Sequence, residues 1–575
     1  MQRTPTFRPI SLLIATAISS AAVLSLSVPV ANARVIDGIP DPVTCARLGF
    51  GHERADRGAP RGRAPGKVLR NAAPIDALNP APTPQAPAIA MESAADFAVP
   101  PVDTERYPDA TPNPIKQAAN EPVSTFSIDV DTASYANVRR FLNDGHLPPR
   151  DAVRVEELIN YFDYGYDGSS DPDIPFSVHA SVVPSPWAEG REIIHIGLQG
   201  YDIEASKRPP LNLVFLMDVS GSMDDPAKLP LVQKALNLLV DELRPEDQVS
   251  IAVYAGAAGA VLAPTQGDQK LKIRCAIDAM RAGGSTGGGE GLALAYGMAE
   301  QGFDGEAVNR VILMTDGDFN VGVADPERLE DFVAEKRDTG VYLSVYGVGR
   351  GNYNDVMMQT LSQSGNGTAA YIDTLQEARK LFRDDFSGSL FPIADDVKIQ
   401  VEFNPARVAE YRLIGYETRA LDRADFNNDQ VDAGETGAGA SVTALYEITP
   451  VGGPAAIDRL RYRTAPIEQG DGGELAFLRI RFKQPGGHTS ELIEQPIGDI
   501  DRPETLDETP ESSRWALAVA AYGQKLRGDP WINRDFDWEA VIALANGAKG
   551  EDPFGIRAEF VQLARAAETA RSVNE

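Results

Sequence analysis

Apolar positions fall into distinct patterns along this chain, and their order divides it. From Leu211 to about Leu390, short and nearly unbroken apolar runs alternate with segments of helical period. The runs are Leu211–Met217, Gln248–Tyr254, Val261–Ala263, Arg310–Met314 and Tyr342–Tyr346. The helical segments are Lys228–Leu243, Asp268–Ala282, Glu290–Ala299, Pro326–Asp338, Asn354–Gln363 and Leu375–Phe386. Runs without alternation belong to strands buried on both faces, so this stretch reads as α/β, a mostly parallel sheet covered by helices.

On either side the strand pattern changes. Thr125–Val130, Phe176–Val183 and Glu192–Leu198 precede the α/β piece. Val397–Phe403, Tyr411–Glu417, Ser441–Ile448, Arg459–Arg463 and Glu474–Phe482 follow it. This spacing predicts an antiparallel β-sandwich assembled from both flanks, with the α/β domain inserted in it. Ala133–Leu142 and Val153–Phe162 read as short helices, and Thr132 or Ser134 as caps of the first. The tail, Ser512–Gln524 and Trp538–Ala570, has amphipathic helical spacing.

The start of the chain has neither pattern. Arg3 and Arg8 precede the apolar stretch Ile10–Val30, and Ala31-Asn32-Ala33 is an A-x-A-like cleavage site, so residues 1–33 read as a secretory signal. Residues 34–120 carry a basic patch (Arg54, Arg57, Arg61, Arg63, Lys67, Arg70) and then a Pro/Ala tract, too poor in large apolar side chains to offset ordering entropy. They read as a disordered tether. The remaining divisions are 121–210, short helices with the first sandwich strands; 211–390, the α/β domain; 391–500, the other sandwich strands; and 501–575, a helical C-terminal region.

Composition narrows function mainly by exclusion. A net charge of −29, from 54 basic and 83 acidic residues, leaves no broad basic face for nucleic acid. The mature chain reads as exported to the periplasm or cell envelope, without a transmembrane segment. Two cysteines, Cys45 and Cys275, make no disulfide framework; Cys275 falls in a helical pattern and reads as a small buried residue, with a bridge to Cys45 the alternative in an oxidising compartment. None of the five histidines lies in H-E-x-x-H, and G-x-x-x-x-G-K-[ST] is absent.

Three loops collect hard oxygen donors: Asp218-Val219-Ser220-Gly221-Ser222, Gly283-Gly284-Ser285-Thr286-Gly287 and Thr315-Asp316-Gly317-Asp318. Oxygen donors suit Mg²⁺, Mn²⁺ or Ca²⁺ better than zinc or copper. Asp218 and Asp316 both follow apolar runs, and ligand sites of parallel sheets lie beyond the carboxyl ends of the strands. The order D-x-S-x-S, a distant Thr and a later Asp resembles a von Willebrand factor type A (VWA) domain with a metal-ion-dependent adhesion site. The resemblance implies a Rossmann-like fold, metal ligands Asp218, Ser220, Ser222, Thr286 and Asp316, and a protein ligand that offers Asp or Glu to a bound Mg²⁺. It also implies that displacement of the helix near Leu375–Phe386 tunes affinity at the metal.

Ser-Ile-Asp-Val-Asp-Thr-Ala-Ser-Tyr at 127–135, Val-Glu-Glu-Leu-Ile-Asn-Tyr-Phe at 155–162, Lys-Leu-Pro-Leu-Val at 228–232 and Thr-Asp-Gly-Asp-Phe-Asn-Val-Gly at 315–322 further resemble the bacterial YfbK-like VWA proteins. That resemblance covers roughly residues 123–570. A metal-dependent, non-catalytic binding protein is therefore expected. The alternative is an envelope structural or assembly factor in which the metal is only stabilising.

Two further readings compete for residues. Gly283–Gly287 matches the G-x-S-x-G nucleophile elbow, which would make Ser285 a hydrolase nucleophile. The elbow requires a strand running into the Ser and a later His, whereas a helical segment precedes Ser285 and His488 is the only downstream histidine. Asp425, Asn427, Asp429 and Asp432 have the spacing of a calcium loop, but Gln430 stands where such a loop needs Gly and Thr436 replaces the closing Glu. A solvated hairpin loop is the competing reading. Asp224 and Asp225 read as caps of the helix that follows them.

Overall fold

The computed structural model describes residues 40–50, 104–109, 111–128, 131–169, 174–204, 206–284, 288–317, 326–431, 433–458, 473–503 and 505–571. At its centre is a six-stranded sheet in the order Ala369–Ile372, Val341–Val348, Val308–Thr315, Leu211–Asp218, Gln248–Tyr254 and Ala258–Gln266. All neighbours run parallel except the last pair. Leu213, Phe215 and Met217 enter one hydrophobic core, while Val214 and Leu216 enter the one on the opposite face. Both faces of this strand are buried, which is why its sequence shows no polar alternation. The expected helix over Leu375–Phe386 is broken into an α-turn Leu375–Arg379, a π-helical turn Lys380–Asp384 and a last turn Phe386–Leu390.

Two antiparallel sheets flank this domain. One is ordered Lys116–Gln117, Val408–Ile414, Ser441–Pro450, Glu192–Gly200 and Phe176–Pro184. The other carries Thr436–Gly437, Pro392–Phe403, Glu474–Lys483 and Ser490–Gly498, with Val123–Ser127 also paired to Pro392–Phe403. Their inner faces meet through Phe403 stacked on Tyr411 and Phe126 against Tyr446. This is the expected sandwich, and it does draw strands from both sides of the inserted domain. The expected strand Arg459–Arg463 lies outside the described residues.

A separate core joins the helices. Trp515 on Glu511–Arg527 packs edge-on against Phe162 and meets Phe560 of Ile556–Thr569. The expected helical stretch Trp538–Ala570 is two helices, Trp538–Gly547 and Ile556–Thr569. Gly550 and Gly555 turn the chain between them at φ +55° and +74°, with Pro553 in the same connection.

The tether reading over 34–120 needs correction where the structure describes it; residues 1–39 and 51–103, with the signal and the basic patch, lie outside the described residues. Pro42–Arg47 is a helix capped by Asp41, and Cys45 is bonded to Cys275 of the helix Lys270–Ala279, with the two Cα atoms 5.3 Å apart. Residues 104–106 lie along the loop before Asp355: Thr104 N–H donates to Gly351 O, and Arg106 N–H to Tyr353 O. Lys116–Gln117 is an edge strand of the sandwich. The capping expectations also change. Thr132 makes no side-chain cap; the Ser134 hydroxyl donates to Ala152 O and accepts from Arg154 N–H.

Buried ion pairs join the inserted domain to its surroundings. Arg154 donates to Asp355 at 2.6 Å and is also paired with Glu157. Arg139 holds Glu377 at 2.7 Å and Asp373 at 2.8 Å, and Tyr161 donates to the same Glu377 carboxylate. The second of these grips the start of the broken helix from outside the domain.

Candidate metal site

The strand Leu211–Asp218 delivers Asp218 fully buried at the carboxyl edge of the sheet. Its carboxylate accepts from Ser220 N–H at 2.8 Å and from Tyr254 OH at 3.2 Å, so both oxygens are oriented before any ligand arrives. Burial raises the Asp218 pKa, and hydrogen bonds from Ser220 and Tyr254 pull the other way. Ser220 and Ser222 place their hydroxyl oxygens 3.0 Å apart, Ser220 buried and Ser222 open to solvent.

The second loop is laid beside the first by two backbone bonds. Gly283 N–H donates to Val219 O at 2.8 Å, and Gly221 N–H to Gly284 O at 3.1 Å. Gly284 adopts φ +98°, a region that favours glycine. Ser285, Thr286 and Gly287 come next and lie outside the described residues, as does Asp318.

Asp316, also fully buried, follows the neighbouring strand Val308–Thr315. Gly317 then turns at φ +102°, and a Cβ there would fall 2.3 Å from Asn352 O. Asp316 is thus set by the close fit of its loop against Asn352–Tyr353, the loop that residues 104–106 brace.

Sequence reasoning missed Lys228. It stands immediately before the helix Leu229–Glu242, and its ammonium donates to Asp316 Oδ2 at 2.7 Å. Its stem lies against Gly349, where a Cβ would sit 2.3 Å from Lys228 Cε. Asp225 does not cap that helix as expected; its carboxylate accepts from Ala227 N–H within the preceding turn.

The second candidate loop is engaged by the protein's own cations. Asp429 Oδ1 accepts from Arg481 at 2.9 Å and Ser490 at 2.6 Å, while Lys398 donates to the Asn428 and Asp425 carbonyls. Asp425 and Asn427 lie in a 3₁₀ turn, and Asp432 lies outside the described residues. Among the described residues no three Cys, His, Asp or Glu are grouped to hold a metal. The first site does not depend on such a group, because two of its described donors are hydroxyls.

Comparison with known proteins agrees with this architecture. The family model for the von Willebrand factor type A domain matches residues 212–384, one described as von Willebrand factor matches 101–195, and one for the YfbK C-terminal region matches 388–570. The fold and the matched domain make this a VWA-domain protein. At 47% identity over 483 residues, 82% of both chains, it is similar to the uncharacterized protein YfbK of Escherichia coli (strain K12). The chain belongs to the YfbK family. A smaller likeness, 31% over 180 residues, links 31% of this chain to 42% of the uncharacterized protein sll0103 of Synechocystis. Among solved structures, von Willebrand factor type A from Catenulispora acidiphila aligns over 69% of this chain and 97% of its own, at 17% identity and a TM-score of 0.38.

Proposed function

We propose that the chain is an exported, non-catalytic binding protein that captures a protein ligand through a divalent cation at Asp218, Ser220, Ser222, Thr286 and Asp316. VWA-domain membership is consistent with an interaction role. The observation that carries the metal reading is the convergence of Asp218, Ser220 and Ser222 with the loop bearing Asp316 on one sheet edge, all offering oxygen. Such donors fit Mg²⁺, which prefers oxygen ligands and retains water positions that a ligand can replace. When bound, the cation would supply a point of attachment for a carboxylate. Asp218, Asp316 and Lys228 together carry one negative charge, so a divalent cation leaves these groups singly positive, which favours an Asp or Glu from the partner.

The Cys45–Cys275 bond supports export, because disulfides persist in oxidising compartments and are rare in the cytosol. Among the described residues no helix is long and apolar enough to cross a membrane.

The test is capture from an envelope extract in Mg²⁺ or in chelator, comparing wild type with Asp218→Ala. Capture that requires Mg²⁺ and vanishes in a variant with nearly unchanged melting temperature is the expected result. If Asp218→Ala instead collapses stability and no Mg²⁺-dependent capture is found with wild type, the structural-factor reading is favoured. Hydrolysis that survives chelation and is lost in Ser285→Ala would overturn both.

A further inference from the structure

The helix Glu511–Arg527 packs on Val155–Ile159 at Gly523, where a Cβ would fall 3.0 Å from Leu158 and 3.2 Å from Val155. Beside this contact Glu156, Asp529 and Glu447 are buried, and the side chain of Glu417 is 6% exposed. Three guanidinium groups serve these four carboxylates. Arg527 pairs with Glu417 at 2.9 Å and Asp529 at 3.1 Å, Arg412 with Asp529 at 3.2 Å and Glu447 at 3.3 Å, and Arg191 with Glu447 at 3.3 Å. Glu156 is the one of the four that forms no ion pair among the described residues. A buried carboxylate in that position is costly to keep ionised.

Two oxygens in this group meet no donor: Glu156 Oε2 and Glu417 Oε2, both buried. The turn before Glu417 lies directly against Glu156. Gly415 and Tyr416 are consecutive left-handed residues at φ +79° and +62°, and a Cβ on Gly415 would fall 2.8 Å from Glu156 Oε2. That conformation strains a tyrosine, and Tyr416 is held in it by donating from its hydroxyl to Thr443 O at 2.8 Å. The other charged groups around Glu156 have partners of their own. Glu157, on the same helix, is paired with Arg154, and Arg419, beyond Tyr416, is paired with Asp131. Burial, then the charges of Glu417 and Glu157, raise the Glu156 carboxyl to about 7.

We propose that Glu156 and Glu417 hold one proton between them and form a pH-sensitive latch, closed while the proton bridges the two carboxyl groups and opened at the 415–417 turn when it is released to solvent. The proton supplies what the protein's own groups do not: one donor for two acceptor oxygens, and neutrality for the carboxylate that no arginine reaches. Without it, two like charges stand in a buried seam beside a strained turn, and the turn is the part free to yield. None of these groups belongs to the metal site, so the proposal is independent of the function proposed above.

The experiment is a titration of the full chain through the neutral range. It is read by the infrared band of protonated carboxyl groups and by hydrogen exchange corrected for its intrinsic pH dependence. Wild type should show a protonated-carboxyl band that disappears with a midpoint at about 7. Amides of the turn at 413–419 should exchange at least about tenfold faster above that midpoint than below it, a change of one pK unit or more in the equilibrium that protects them. Glu156→Gln should lack the band and keep the turn protected at every pH. Glu417→Gln, which removes the like charge, should lower the midpoint by about one unit or more. Three results would overturn the latch: a wild-type spectrum identical to that of Glu156→Gln, a midpoint unmoved in Glu417→Gln, or exchange of the turn that does not follow the titration. The first and last need no variant with a disturbed arginine, so misfolding of Glu417→Gln would leave the test decisive.

Discussion

Lys228 alters what the proposed metal site could be at the scale of single residues. Its ammonium already compensates Asp316, so a divalent cation held there would bind against a resident positive charge. At an effective dielectric of about 20, a unit charge at such range is worth on the order of a few kcal/mol. Lys228→Met should therefore bind Mg²⁺ at least about tenfold more tightly in calorimetry, and equal or weaker binding would remove Lys228 from this role. Asp218, Ser220 and Ser222 were legible because five consecutive residues carry them, whereas the Lys228–Asp316 pair crosses 88 residues and has no local signature.

A second residue-scale case is Glu156. Its carboxyl is pushed up to about 7, first by burial and then by the charges of Glu417 and Glu157. Arg527 faces Glu417 at 2.9 Å. The folded state thus keeps a proton that the unfolded chain releases near 4.5. That contribution to stability is present below pH 4.5 and is lost as the pH rises through about 7. Glu156→Gln cannot titrate, so it should gain on wild type by about 1–3 kcal/mol between pH 5 and pH 8 in urea denaturation. A pH-independent difference would count against the buried acid.

At the scale of elements, Arg154 joins the helix Val155–Ile159 to Asp355 at the head of Asp355–Ser364. Arg154→Met would strand Asp355 and Glu157, both buried, without their counter-charge. A loss of roughly 3–5 kcal/mol is expected from chemical denaturation. A loss under about 1 kcal/mol would show that the pair does not fasten the domain. The strands best read from sequence are those buried on both faces, such as Leu211–Asp218. Ser490–Gly498 escaped because it is an edge strand in which only Ile497 is buried, with Pro496 inside it, and only pairing to Glu474–Lys483 makes it a strand. Ala369–Ile372 is too short to show a period of its own. The break in the last helix of the VWA domain is likewise tertiary: Arg139 and Tyr161, remote in sequence, hold Glu377 just before the π-helical turn.

For the whole molecule, the disulfide is the largest revision of the sequence reading. Neither cysteine has a local signal, since pairing depends on a helix at 42–47 meeting one at 270–279 across 230 residues. Reduction should lower stability by about 2–5 kcal/mol, measurable as a shift in the urea midpoint with and without reductant. An unchanged midpoint on full reduction would make the bond incidental to stability.

That bond also changes the connectivity of the polypeptide. Together with the intervening backbone it closes a covalent ring from Cys45 to Cys275, and residues 51–103 form one arc of that ring, with anchored chain on both sides. A single peptide-bond scission in the arc opens the ring without releasing anything: the N-terminal piece stays attached through sulfur. Nicked and intact molecules would then have the same mass apart from one added water, and would separate into two pieces only after reduction.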